Sequence, residues 1–327
     1  MFLGSVLLLA SLSSQAEPLS LKSGAKAVQT GSQAGSQSYA LMPVKVIPNA
    51  RPLNWNRSSQ SLALAGIVGF PNRRGARQTL QTGGRLPTAL DRRLLRYNMD
   101  TDTTDEVFNA NPGFSLRQVK WLGQTADLAF GLENVAGKQV GVVVSRRGQE
   151  PRVVNVGEGV SLITIATSSE LPVLVVCQSG SERSSVTAYS LDQTAEVKKV
   201  PEGLIAATLR ESENPNFAVL VGVNPASGRG TETFGIDLRT ASIVPESAIP
   251  AETPFTQKPV FDFVLRSAPI AGVPGEKSDV FAQKVGVSPV FLCRNARSQV
   301  TSPDGLKTAV WDGSSVFIYE FVPVKPK

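Results

Sequence analysis

"TSPDGLKTAVWDGSSVFIYEF", Thr301 to Phe321, alternates two tight turns with two short apolar runs. In Ser302-Pro303-Asp304-Gly305 the proline presets φ and the glycine accepts a positive φ, so two strands can reverse within a few residues. Thr308 to Trp311 then reads as a strand, Asp312 to Ser315 as a second turn and Val316 to Phe321 as another strand. A pair of strands this short cannot bury its own faces, which makes the stretch one unit of a larger array.

A second short pattern locates the other units. An aromatic residue, a small or polar one, an aliphatic one and Asp recur as "YNMD" at Tyr97 to Asp100, "YSLD" at Tyr189 to Asp192 and "FGID" at Phe234 to Asp237. The first two copies lie 92 residues apart and the last two 45, which is two periods of 46 and one of 45. The spacing predicts a further unit near residue 143, where "VGVVVSRRGQEPRVVNV" offers strand, turn around Gly148, and strand. Carried forward, it lands on "DVFAQKVGVSPVFL" and then on the closing "VFIYEFVPV", giving six units.

Within each unit the second strand is the plainest. These strands are predicted at Leu64 to Phe70, Ala126 to Leu132, Leu171 to Cys177, Phe217 to Val223, Phe261 to Arg266 and Thr308 to Trp311. All are short, rich in Val, Phe and Leu, and bounded by Gly, Ser, Asn or Pro. No long segment shows capped helical periodicity, so helix should be scarce. Four strands per period of about 45 residues define an all-β fold of the propeller class. The last unit stops after its third strand, and Tyr39 to Pro48, "YALMPVKVIP", is predicted to supply the fourth and tie the termini together.

The final unit, through Ser302, Pro303, Asp304, Gly305, Lys307, Ala309, Val310, Asp312, Gly313 and Tyr319, resembles the repeats of TolB-type, WD40-like β-propellers. The likeness is specific over this unit and faint elsewhere, where the period is kept and the turn motif lost. It implies a single propeller domain over residues 39–327 in a bacterial cell envelope. It assigns no function, because the family holds noncatalytic protein binders as well as propellers attached to peptidases.

Met1 to Ala16, "MFLGSVLLLASLSSQA", has the apolar stretch and small-residue end of a secretory signal, without a basic start. Export to the periplasm or beyond is therefore expected. Residues 17–38 are rich in Ser, Gly, Ala and Gln and read as a flexible lead. No segment is apolar enough over its length to be predicted as a membrane-spanning helix. Cys177 and Cys293 sit in apolar runs of different units, which favours two small buried hydrophobes over one disulfide.

The chain contains no histidine, and this removes Ser-His-Asp and Cys-His chemistry, His-ligated zinc and the usual neutral-pH base. No phosphate-binding glycine loop is present, and no cofactor or metal is expected. Carboxylate chemistry survives in principle, with Asp100, Asp127, Glu133, Asp192, Asp237, Asp262 and Asp312 as candidates for a glycan-active enzyme with acids in a central cavity. The recurrent Asp of the aromatic pattern reads better as a turn-starting residue bonded to backbone. "DTDTTDE", Asp100 to Glu106, is acid-dense but lacks the glycine and glutamate spacing of an EF-hand, so it reads as an exposed hairpin.

The net charge is +6, and its most concentrated source is Pro71 to Arg96. There Arg73, Arg74, Arg77, Arg85, Arg92, Arg93 and Arg96 accompany one acid, Asp91. In the repeat frame this is a long insertion between the second and third strands of the first unit. Ser267 to Ser278 is a second, shorter insertion on the same side. Insertions on a rigid scaffold commonly carry binding, and guanidinium groups suit carboxylate, sulfate or phosphate. The expected partner is an acidic protein or an anionic envelope polymer, with an envelope scaffold lacking any discrete ligand as a further alternative. No aromatic residue lies among the arginines to stack bases, which argues against nucleic acid. The opposite side, with "DTDTTDE" and "RESENPN", is expected to be acidic.

Overall fold

The computed structural model describes residues 26–28, 38–67, 91–134, 136–155, 162–180, 182–190, 194–196, 203–212, 214–228, 230–250, 262–267, 278–284 and 287–324. Strands β1 (Lys26–Val28) and β2 (Ser38–Pro48) open the chain. Sheet 1 follows as β3 (Ala50–Trp55), β4 (Ser61–Ile67), β5 (Asp91–Asn98) and β6 (Thr103–Asn109). Sheet 2 holds β7 (Phe114–Leu122), β8 (Asp127–Asn134), β9 (Gln139–Ser145) and β10 (Arg152–Asn155). Sheet 3 holds β11 (Leu162–Thr167), β12 (Val173–Ser179), β13 (Ser184–Ser190) and β14 (Thr194–Glu196). Sheet 4 holds β15 (Ile205–Glu211), β16 (Phe217–Val223), β17 (Thr231–Asp237) and β18 (Ser242–Pro245). Sheet 5 has β19 (Asp262–Ser267), β20 (Ser278–Lys284) and β21 (Val287–Ala296) among the described residues.

Sheet 6 joins the two ends of the chain. Its order is β22 (Ser298–Thr301), β23 (Lys307–Trp311), β24 (Ser315–Val324), then β2 and β1. β2 runs antiparallel to β24, with Leu41 opposite Phe321 and Ile47 opposite Val316. Three residues of the lead read as flexible, Lys26–Val28, thus add a strand to the edge of this sheet. The only helical segments among the described residues are the 3-10 turns Pro225–Ser227 and Glu246–Ala248.

Five of the contacts between neighbouring sheets are filled by separate apolar layers. Ile47, Trp55, Leu62, Tyr97, Val316 and Ile318 fill the contact between sheets 6 and 1, and Ala63, Leu94, Trp121, Leu128 and Phe130 that between 1 and 2. Leu122, Val142, Ile163 and Leu174 join sheets 2 and 3, and Cys177, Leu204, Leu220 and Ile236 join 3 and 4. Tyr39, Leu41, Val280, Leu292, Phe317 and Phe321 join 5 and 6. No such cluster joins sheets 4 and 5 among the described residues. A strand packed on both sides must be apolar at successive positions. This is why β24 reads "VFIYEF": Val316 and Ile318 face sheet 1 while Phe317, Tyr319 and Phe321 face sheet 5.

The Ser-Pro-Asp-Gly turn behaves as its residues require. The Ser302 amide donates to the Lys307 carbonyl at 2.9 Å, the Gly305 amide to the Ser302 carbonyl at 2.9 Å, and the Lys307 amide to Ser302 Oγ at 2.8 Å. Sheet 1 repeats this geometry with other residues. The Asn56 amide donates to the Ser61 carbonyl, the Ser59 amide to the Asn56 carbonyl, and the Ser61 amide to Asn56 Oδ1. Gly305 at φ +66° has its counterpart in Ser59 at φ +58°. The turn motif expected to be lost outside the last unit is therefore kept in sheet 1 as a shape, with Asn serving for Ser and a strained Ser for Gly.

Candidate binding face

Side-chain hydrogen bonds link the first strands of sheets 1 to 4 to one another. Asn54 Nδ2 on β3 donates to the Val119 carbonyl on β7 at 2.8 Å. Gln118 on β7 clasps β11, its Nε2 donating to the Ile163 carbonyl at 2.7 Å and its Oε1 accepting from the Ile165 amide at 3.0 Å. Thr164 Oγ1 on β11 accepts from the Leu209 amide on β15 at 2.8 Å. Gln118 sits at φ +49° within a register shift, and a bulge of this kind re-aims a side chain out of its own sheet.

Two ion pairs skip a sheet altogether. Arg57 Nη1, in the β3–β4 turn, donates to Ser169 Oγ at 2.8 Å and pairs with Glu170 Oε1 at 3.0 Å in the β11–β12 turn. Lys120 on β7 pairs with Glu211 at the end of β15 at 2.9 Å. Side chains can bridge alternate sheets only if the first strands lie on the inside of the curve. The first-to-second and third-to-fourth turns then share one side, and the second-to-third connections share the other, the connection side.

The turn side is mixed in charge rather than acidic. Asp100 and Asp102 lie there, but so do Arg57, Arg147 and Arg239. Three of the four acids of "DTDTTDE" are engaged: Asp102 accepts from Tyr97 Oη at 3.0 Å and Lys45 Nζ at 2.8 Å, Asp105 pairs with Arg96 and Glu106 with Arg93. Lys45 and Tyr97 both donate to the Asp102 carboxyl and hold it below the usual carboxylate range. No group of three or more potential metal ligands occurs among the described residues.

The insertion ends earlier than Arg96. β5 begins at Asp91, so Arg92, Arg93 and Arg96 are strand residues, while Arg73, Arg74, Arg77 and Arg85 lie outside the described residues. Arg92 donates to the Ala110 carbonyl through Nε at 3.2 Å and Nη2 at 2.9 Å. Arg93 reaches Glu106 Oε2 across the strands at 2.7 Å. Arg96 donates to the Ala126 carbonyl of sheet 2 at 3.1 Å. Gly66 makes room for the Arg93 stem, since a Cβ there would stand 2.9 Å from Arg93 Cβ. Cross-strand acids and aliphatic stems lying along neighbours are what allow three arginines in one strand.

The carboxylates considered for catalysis are mostly tied into their own sheets. Asp127 accepts the Arg147 amide at 3.0 Å, Glu133 pairs with Arg117, and Asp312 Oδ1 accepts the Ser314 and Ser315 amides at 2.7 Å. Asp237 accepts the Arg239 amide at 2.9 Å and its guanidinium at 2.7 Å, which holds its carboxyl low and makes it the expected turn starter. In the first unit Asn98 takes that role in place of Asp100, accepting the Asp100 amide at 2.9 Å. Asp192 and the Asp262 side chain lie outside the described residues.

Both cysteines are free and buried, in different clusters. Burial pushes each thiol up to about 12. At pH 8 iodoacetamide should therefore label neither in the folded chain and both after denaturation. Rapid labelling of the native protein would show that the thiols are accessible.

One residue on the connection side gave no warning in the sequence. Arg297, between β21 and β22, lies over the Trp311 ring with its guanidinium carbon 6.0 Å from the ring centroid. A Trp-Asp-Gly turn with an arginine fourteen residues upstream is a signal only once the fold pairs β22 with β23.

These observations define an all-β protein of propeller-type repeats. No family model matches the chain. The chloroplastic beta subunit of acetyl-coenzyme A carboxylase carboxyl transferase from Illicium oligandrum is 29% identical over 143 residues, 37% of this chain and 28% of that protein. The match thus spans less than a third of that relative's length. Among solved structures, a chain of a mitotic checkpoint complex is similar at 12% identity and TM-score 0.41, covering 95% of this chain and 99% of that one. TolB from Acinetobacter baumannii is similar at 11% identity and TM-score 0.35, covering 84% and 80%. Oligogalacturonate lyase from Vibrio parahaemolyticus is similar at 9% identity and TM-score 0.38, covering 91% and 98%. No helix among the described residues is long and apolar enough to cross a membrane.

Proposed function

We propose that this chain is an exported, noncatalytic binding module: a six-unit propeller, its last unit completed by the N-terminal strand, that holds an acidic protein or an anionic polymer of the cell envelope on its connection side. The observation that carries the reading is the β4–β5 connection. Residues 68–90 hold four arginines and no acid, and the strand ends they join, Ile67 and Asp91, lie on the connection side. The arginines of β5 are occupied by Ala110, Glu106 and Asp105, so they support the strand, and binding falls to Arg73, Arg74, Arg77 and Arg85. Export rests on the apolar stretch and small-residue end of residues 1–16.

The test compares the whole mature chain with two variants on a polyglutamate surface and on a sulfated polysaccharide. One replaces Arg73, Arg74, Arg77 and Arg85 by Gln. The other makes the same charge change on the turn side, at Arg147, Arg152, Arg210 and Arg239. The first should bind at least about tenfold more weakly at low salt and the second nearly as the parent, with both differences shrinking as salt screens the charges. Equal losses would reduce the effect to net charge and overturn the reading.

A further inference from the structure

On the connection side of sheet 6, three chain segments meet: Asn49 between β2 and β3, the Asp312–Ser314 turn between β23 and β24, and Arg297 between β21 and β22. The Asn49 amide donates to the Ser314 carbonyl at 2.8 Å, and the Arg297 amide to the Trp311 carbonyl at 2.7 Å. Asp312 caps the turn with its carboxylate on two amides and on Ser314 Oγ at 2.9 Å, which leaves it committed to the backbone.

Arg297 is exposed, and its side chain lies close to two residues of the β23–β24 turn. Its guanidinium carbon lies 6.0 Å from the Trp311 ring centroid, and Gly313 of the same turn stands close to it. Gly313 stands at φ +108°, and a Cβ there would come within 2.7 Å of Arg297 Nε and 3.0 Å of its guanidinium carbon. The glycine thus serves twice, permitting the turn and clearing the space for the stacked guanidinium. Arg57, Arg93, Arg96, Arg117, Arg210 and Arg239 each pair with a carboxylate, but no acid among the described residues pairs with Arg297.

We infer that Arg297 is a prepositioned carboxylate-binding residue, the fixed point at which an acidic polypeptide docks on the connection side. The inference deepens the function proposed above and rests on it for the choice of side. A guanidinium confined by a ring and a turn has fewer rotamers to lose when the ligand arrives, so less entropy is lost on binding. Its free edge matches two oxygens and one charge, which is a carboxylate. A phosphate dianion would leave a charge unmet at this position. Sheet 6 adjoins sheet 1, so Arg297 lies on the same side as the ends of β4 and β5 that residues 68–90 join.

The probe is a soluble Glu-rich peptide titrated into the full chain, with tryptophan emission as the readout because Trp311 underlies the site. Saturable change of emission is expected; Trp311→Phe should abolish the signal and weaken calorimetric binding by less than Arg297→Gln does, because a ring remains beneath the guanidinium. Arg297→Gln should weaken binding by about tenfold or more, and Arg297→Lys by somewhat less, since the charge remains but the planar fork is lost. A parent-like affinity in a folded Arg297→Gln variant would overturn the inference. So would a response to inorganic phosphate or sulfated polysaccharide with none to the peptide.

The variant carrying Gln at Arg73, Arg74, Arg77 and Arg85 separates the two readings. If it retains the Trp311 response while Arg297→Gln loses it, the site stands and the insertion is not the binding element. If it loses binding while Arg297→Gln does not, the insertion reading stands and Arg297 is structural. Thermal melts of every variant show that loss of binding is not loss of fold.

Discussion

A chain that begins at Ala50 is expected to lose cooperative unfolding. β2 covers the length of β24, and without it β24 becomes a bare edge. Tyr39 and Leu41 would leave the layer between sheets 5 and 6, and Ile47 the layer between sheets 6 and 1. Each such side chain contributes about 1.5–3 kcal/mol by burial, so losing three removes roughly 5–9 kcal/mol, as much as many domains possess. The check is circular dichroism and dye binding on the truncated chain, with and without a synthetic peptide of residues 38–48. Restored melting with the peptide would show that the strand acts by completing the sheet. A truncated chain that melts like the parent would mean the two termini fold independently of one another. Ile47→Ala offers a milder version, with a cost of about 2–4 kcal/mol and an unchanged denaturant slope.

The second large effect is alkaline. Tyr97 and Tyr319 are both buried, and burial is the main reason their phenols titrate well above the usual value near 10. Tyr97 also donates to Asp102, whose negative charge opposes a second one. The sign follows from linkage. Below pH 10 both folded and unfolded chains hold these protons and stability is intact. Above pH 10 the unfolded chain gains by ionising and the folded chain cannot. Stability should fall by about 1.4 kcal/mol per pH unit for each fully protected tyrosine. Urea midpoints from pH 9 to 11.5, read with phenolate absorbance, test it, because the two phenolates should appear only with unfolding. Tyr319 Oη finds no hydrogen-bond partner among the described residues, so Tyr319→Phe should cost little at neutral pH and flatten the alkaline loss. A Tyr319→Phe chain with the parent's alkaline slope would show that this phenol does not report the fold. Tyr97→Phe should differ, since it also frees Asp102 from one of its two donors.

The sequence by itself determined the all-β class, the second strands to within a few residues, and the pairing of Tyr39 to Pro48 with the last strand. Short apolar runs of Val, Phe and Leu between Gly, Asn and Pro leave few alternatives to β structure, and a period near 46 shows how often the pattern repeats. Phe217 to Val223 was legible to the residue, and Tyr39 to Pro48 could be placed beside the last strand because an apolar strand with no local partner must find one elsewhere.

Only the tertiary structure decided what the polar residues do. A string of arginines carries no local sign of its partners, so the sequence did not show that Arg92, Arg93 and Arg96 belong to a strand. Those partners are Ala110, Glu106 and Ala126, which other strands bring to them. The Asn56 turn escaped for the same reason in reverse, since a hydrogen-bond geometry can be kept while the letters change. Gln118 and Arg297 carried no signal at all. Their roles depend on a backbone carbonyl in the next sheet and on a Trp311 ring beneath a Gly313 cleft, contacts set by packing between segments far apart in the chain.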